Sequence, residues 1–265
     1  MKVFLALAVS TCVLASATSA SAQAAITLDG GFALASVGPI TLDDWNANGA
    51  LSVPLDDDLD VQGNLSFAKL TGSDVGENAW NLGATATYWP AHTFRIGVTT
   101  DYENASANTL DHNSSSTHVF NYGGFAELFA GIFTLGAKGG GFTGNAGASG
   151  SYVGGEATTY LFRDFALTGT IDYAGFQGSN IGQGFNETDF TAEGEWLIWE
   201  RAPITLFCGY TFAVFSGFDR PGNGDVMFVG VRLYANGSRA RDLIDRQRTG
   251  TVGWAANFGP VGASL

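Results

Sequence analysis

The chain has 265 residues, a formal net charge of −13 and only 14% charged residues, well below the roughly 25% of soluble domains. Such an acidic, glycine- and aromatic-rich chain lacks the basic footprint that nucleic-acid binding needs, so nucleic acid is not an expected partner. Four of its few bases, Arg239, Arg241, Arg246 and Arg248, gather near the C-terminus and leave the body more acidic still.

Residues 1–22 read as a secretory leader. Lys2 supplies the positive start, residues 3–9 the apolar run, and Ala20-Ser21-Ala22 a small-x-small cleavage site. Removal of the leader takes Cys12 with it. The mature chain then keeps only Cys208, which excludes an intrachain disulfide, and this residue reads as a small hydrophobe on an apolar face.

From residue 26 onward, side chains alternate between apolar and polar, the period-two signature of strands with one face in oil. The spacing predicts strands over 26–36, 45–55, 59–67, 80–88, 94–103, 119–129, 133–142, 152–161, 165–173, 188–198, 204–215 and 226–234. The third is the clearest: Leu59, Val61, Leu65 and Phe67 oppose Asp60, Gln62, Asn64 and Ser66. The tenth sets Phe190, Ala192, Gly194, Trp196 and Ile198 against Asp189, Thr191, Glu193 and Glu195. The sixth carries aromatics on both faces, with Glu127 inward by parity. Runs of about ten residues suit a tilted strand crossing a bilayer, which needs about nine to eleven.

The connections are of two kinds. Those at 54–58, 89–93, 130–131, 162–164 and 199–203 are short and flanked by aromatics. Those at 71–78, 104–117, 143–150, 175–184 and 216–225 are longer and rich in Gly, Asn, Ser and Asp, residues that favour turns for local backbone reasons. A secreted sandwich also alternates. Three features argue against one: polar faces of Gly, Thr, Asn and short acids rather than Lys and Glu, aromatics near the turns, and strands too long for a sandwich. In lipid every backbone amide needs a partner, so the strands must close.

In these features 26–234 resembles the Gram-negative outer-membrane β-barrels, and within them the small porin-like channels. The resemblance is one of pattern and carries no functional residue across. It implies an all-β transmembrane antiparallel β-barrel of about twelve strands over 23–236, embedded in outer-membrane lipid, with short periplasmic turns and longer extracellular loops. The terminal aromatic expected of a last strand is Tyr234, but on the inward parity and followed by a tail. That tail, 237–265, is expected in the periplasm, loosely ordered, with a lip or plug on the barrel mouth and a further strand as alternatives.

Function is expected in the lumen. By parity the inward ionisable residues are Asp29, Asp60, Arg95, Asp101, Glu103, Glu127, Lys138, Glu156, Asp172, Glu193, Glu195 and Arg232, nine acids against three bases. A pore lined by one sign of charge attracts the opposite ion. The expectation is passive diffusion of ions and small polar solutes with a cation preference. The alternative is a non-conducting structural or surface-binding barrel. Inward Gly97, Gly123, Gly136, Gly140, Gly209 and Ala213 are read as favouring open space.

Catalysis is not expected. Ser114–Ser116 with His118 in the longest loop is the one arrangement that could serve a barrel hydrolase, and Asp111, His112 and His118 do not have the spacing of a known metal site. Gly139-x-Gly141-x-x-Gly144 matches a dinucleotide fingerprint in letters only, with no helix expected after it. No cofactor or metal is expected. A translocator role is disfavoured, since no passenger segment is seen between the leader and the first strand.

Overall fold

The computed structural model describes residues 24–37, 40–72, 75–109, 114–145, 149–177, 184–199, 204–217, 222–236, 242–249 and 251. Twelve antiparallel strands form a closed barrel: β1 (Ala25–Val37), β2 (Ile40–Pro54), β3 (Leu59–Thr71), β4 (Val75–Ala91), β5 (Phe94–Thr109), β6 (Ser114–Ala130), β7 (Phe133–Gly144), β8 (Ser149–Phe162), β9 (Phe165–Gln177), β10 (Phe185–Trp199), β11 (Ile204–Ser216) and β12 (Gly222–Asn236). Each strand pairs with its sequence neighbours, and β1 closes on β12 from Ala25↔Asn236 to Val37↔Gly224. Closure leaves no edge strand, so the ladder satisfies the backbone groups that lipid cannot.

The outer surface is apolar because the alternation has a single sense around the ring. Leu65, Phe67, Leu82, Val98, Phe120, Leu135, Val153, Ile171, Phe190, Leu206 and Val229 are all exposed. Aromatics flank this belt at both ends. Tyr88, Phe133, Phe162 and Trp196 lie toward the short turns, and Trp45, Trp80, Tyr102, Tyr122 and Tyr173 toward the other end. An aromatic body with a polar edge suits the boundary between acyl chains and water.

The strands run past the expected ends, mainly away from the short turns. The connections expected over 104–117 and 71–78 shrink to 110–113 and 72–74, because β4, β5 and β6 continue to pair through Val75↔Thr109 and Asn108↔Ser114. At the short-turn end β4 likewise continues through Trp89 to Ala91, so the turn is His92-Thr93. Phe207, beside a short turn where aromatics meet the membrane boundary elsewhere, is buried on the inward face, and Ile26, which shares its parity with lipid-facing Phe32 and Leu34, is buried as well. The leader 1–22 lies outside the described residues.

Part of the tail lies among the described residues. A short helix α1 (Leu243–Thr249) follows β12 and seats against the short-turn mouth. The Leu243 amide donates to the Arg163 carbonyl at 2.9 Å, and its fully buried side chain packs with Tyr160, Ala166 and Tyr234. Over its described residues the tail lies on the barrel mouth. The remainder of the tail, 252–265, lies outside the described residues.

Candidate functional site

The inward residues of the short-turn half form an interlocked set of charges. Arg232 of β12 sits between three acids: its guanidinium lies 2.6 Å from Glu195, 3.3 Å from Glu193 and 3.8 Å from Asp29. The register explains the arrangement, since Asp29 is the cross-strand partner of Arg232 and Thr205 is its partner on the other side. Glu195 also accepts from Thr205 at 2.6 Å, Tyr234 at 2.8 Å and Gln247 of α1 at 2.8 Å. A buried carboxylate held by so many donors is a fixed part of the wall. A second pair, Arg95 with Glu127, is buried between β5 and β6. Arg95 lies 5.3 Å from the Trp89 ring and 5.4 Å from the Phe129 ring. Asp60, at the rim, accepts from the Trp89 indole N–H at 2.7 Å. Lys138 meets Asp172 at 3.0 Å further up.

Between this wall and α1 lies a cavity of about 270 Å³. Its lining joins carboxylates (Asp29, Glu156, Glu193) to a run of hydroxyls on adjacent strands (Thr158, Thr168, Thr170, Thr191). The hydroxyls bond across the strands, Thr158 with Thr168 at 2.9 Å and Thr191 with Thr211 at 2.8 Å. Such a lining replaces part of the hydration shell of a polar solute without binding it tightly.

Arg248 of α1 lines this cavity. Its Nη2 donates to the carbonyls of Gly131 at 2.8 Å and Phe133 at 2.7 Å, and its Nε donates to Thr134 at 3.2 Å. The guanidinium lies 5.3 Å from both the Phe129 and the Tyr160 ring. Gly131 adopts φ +58° in the β6–β7 turn, a conformation that costs any other L-residue energy. The Arg248 carbonyl in turn accepts from Arg95 at 3.4 Å, and Thr251 reaches Thr27 at 2.7 Å. The tail therefore crosses the mouth and bonds to several strands.

The half toward the long connections differs. Asp101 accepts from Asn81 at 2.9 Å and Asn121 at 2.7 Å, amides on the two neighbouring strands. Glu103 lies one step higher, opposite Asn81, and neither acid has a base at ion-pair distance among the described residues. Four further acids, Asp44, Glu77, Glu187 and Asp189, share the inward parity at this end. Three were missed because β2, β4 and β10 start earlier than the apolar pattern shows. Asp189 was read as inward but left out of the lining.

The inward glycines do not mark open space. Gly97 pairs directly with Phe125, Gly209 with Phe228, Gly230 with Phe207, Gly140 with Tyr152 and Gly150 with Phe142. In each pair the aromatic side chain lies over the glycine, where a Cβ would collide with it. The glycines are seats for cross-strand side chains, an arrangement that stiffens a strongly curved wall. On one wall of the long-connection half, Val119, Phe142, Tyr152, Phe176 and Phe185 form an apolar cluster, with Phe176 and Phe185 stacked at 4.2 Å. The lumen is narrower than the glycine count suggested.

The remaining motifs find other places. His118 stacks with Tyr102, which faces lipid, and bonds to the hydroxyl of Tyr102 at 2.8 Å and to Asn104 at 2.7 Å. Asp111 and His112 lie outside the described residues. Gly139–Gly144 stays in extended β7. Among the described residues no group of three His, Cys, Asp or Glu is placed to hold a metal ion.

No family model and no curated protein matches the sequence. Solved structures do. The COG4313 outer membrane channel from Pseudomonas putida F1 superposes with a TM-score of 0.63, at 9% identity over 80% of this chain and 96% of that one. The fold is that of the outer-membrane β-barrels. The translocator domain of autotransporter NalP from Neisseria meningitidis gives 0.54, at 8% identity over 84% of this chain and 92% of that one. The KdgM porin in complex with disordered oligogalacturonate gives 0.51, at 10% identity over 78% and 98%. Identities this low speak for the architecture alone.

Proposed function

We propose that the chain is an outer-membrane channel for small polar solutes, with a preference for cations and a mouth restricted by its own C-terminal segment. The observation that carries this reading is the lumen itself: a polar cavity of about 270 Å³ lined by carboxylates and threonine hydroxyls inside a barrel whose outer face is apolar. Six of the pore-lining acids show two contrasting situations. Asp29, Glu127, Glu193 and Glu195 are tied to bases and shape the passage. Asp101 and Glu103 lack such bases and set the field that a solute meets, which draws cations and repels anions. The oligogalacturonate of the KdgM porin is a polyanion, and a lumen with this balance of acids argues for the opposite charge here.

Since both termini of the barrel lie on the short-turn side, that side is assigned to the periplasm, and α1 restricts the periplasmic mouth. A second reading, a non-conducting barrel, is favoured by the same helix and by the apolar cluster on the lumen wall. Conductance of the refolded mature chain in a planar bilayer under a salt gradient separates the two. Stable steps with a reversal potential on the cation side support the channel. Silence from protein shown to be folded overturns it.

A further inference from the structure

Arg248 sits in a seat that the barrel wall builds. Two main-chain carbonyls, Gly131 and Phe133, converge on one guanidinium nitrogen, and the Thr134 hydroxyl takes the Nε proton. The Phe129 and Tyr160 rings approach the same cation at equal distance. Carbonyl acceptors combined with aromatic rings recognise a planar, weakly hydrated cation and favour guanidinium over ammonium. The barrel wall supplies all five groups, and α1 supplies only the cation. The seat also opens onto the lumen cavity, whose lining includes Phe129, Thr134, Tyr160 and Arg248.

We propose that this seat is a site for guanidinium-bearing solutes, and that Arg248 occupies it as an internal stand-in until such a solute displaces the tail. The identification of the site as part of a solute path rests on the channel reading above. Occupancy of the seat does not. Competition follows from geometry, since one cation fills the acceptors. It also gives the tail a release mechanism, because Arg248 contributes three of the hydrogen bonds by which 242–251 holds the mouth.

The test uses the full mature chain folded in detergent and methylguanidinium chloride as the probe. Calorimetric titration of the Arg248→Ala variant should show saturable one-to-one binding with a Kd on the order of 1 mM, and the parent protein should bind at least about tenfold more weakly. Methylammonium should not substitute, and Thr134→Val in the Arg248→Ala background should weaken binding. A folded Arg248→Ala protein that binds methylguanidinium no better than methylammonium, or no better than the parent, overturns the site.

A second measurement needs no variant. Leu243 is fully buried while the tail is seated, so thermolysin cleavage before it reports release. Methylguanidinium at several times its Kd should speed that cleavage in the parent protein by about fivefold over equal potassium chloride. No acceleration overturns displacement. Binding without conductance would keep the site and remove the channel; conductance without binding would do the reverse.

Discussion

The two halves of the lumen handle charge in opposite ways. Toward the short turns, acids are matched to Arg95 and Arg232, wrapped by hydroxyls and covered by α1. Toward the long connections, among the described residues, Asp101 accepts from two amides and Glu103 has no base at ion-pair distance. A charge locked in a pair builds the wall, whereas an uncompensated one acts at a distance on whatever enters. On the channel reading proposed above, a count of lumen acids overstates selectivity, because the acids most firmly embedded should contribute least to it.

The sharpest way to break this contrast is Arg232→Met. It leaves Asp29, Glu193 and Glu195 facing one another, and loss of one partner from a buried ionic group costs about 3–5 kcal/mol. A fall in unfolding free energy of that size, read from the shift of the urea midpoint, is the expected outcome. An unchanged midpoint would mean that the short-turn half is as loosely held as the other. Next comes Gly209→Val. Its branched side chain meets the Phe228 ring across the strand pair, and overpacking of this kind costs about 1–3 kcal/mol, read in the same unfolding assay.

The double change Asp101→Asn with Glu103→Gln sharpens the contrast from the other side. It should change the unfolding free energy by less than about 1 kcal/mol, since neither group anchors an ion pair. The reversal potential under a salt gradient should shift toward zero, more at low than at high salt because screening already weakens the field at high salt. Glu195→Gln should show the converse, with little change in selectivity and a measurable loss of stability. If Glu195→Gln alters selectivity more than the Asp101/Glu103 pair does, the assignment of roles is wrong.

Most of the barrel could be read from alternation. The twelve strands and the inward parity of the lining residues follow from side chains such as Leu59, Val61, Leu65 and Phe67, which only a lipid-facing surface selects. The upper strand ends could not. There Asn78, Asn104, Ser106 and His118 share the outward parity with Trp80 and Tyr102 but lie beyond the apolar belt, so both faces are polar and the period vanishes. Glu77 was lost with it. The glycines misled for a different reason. Gly97 says only that it has no side chain of its own, and Phe125 enters its place from the next strand. Once the turns fix the register, an inward glycine opposite an inward aromatic is a legible sign of a filled lumen. The seat of Arg248 was hidden because main-chain carbonyls, which supply two of its acceptors, leave no mark in a sequence.

The strands of the barrel are unequal. β4, β5 and β6 have 17, 16 and 17 residues, while β7 has 12. At ~3.3 Å per residue and a tilt near 40°, the longer ones rise roughly 40 Å along the barrel axis, against an apolar band of about 25 Å. The wall therefore forms a one-sided parapet above the lipid, and Glu77, Asp101 and Glu103 are on the strands that build it. The excess over the apolar band, roughly 15 Å, lies mostly at this end and carries the crest through the headgroup layer. If the barrel conducts, a solute approaching from this flank meets protein at the headgroup level before open lipid, and shortening these three strands should disturb its entry more than altering the lipid headgroups.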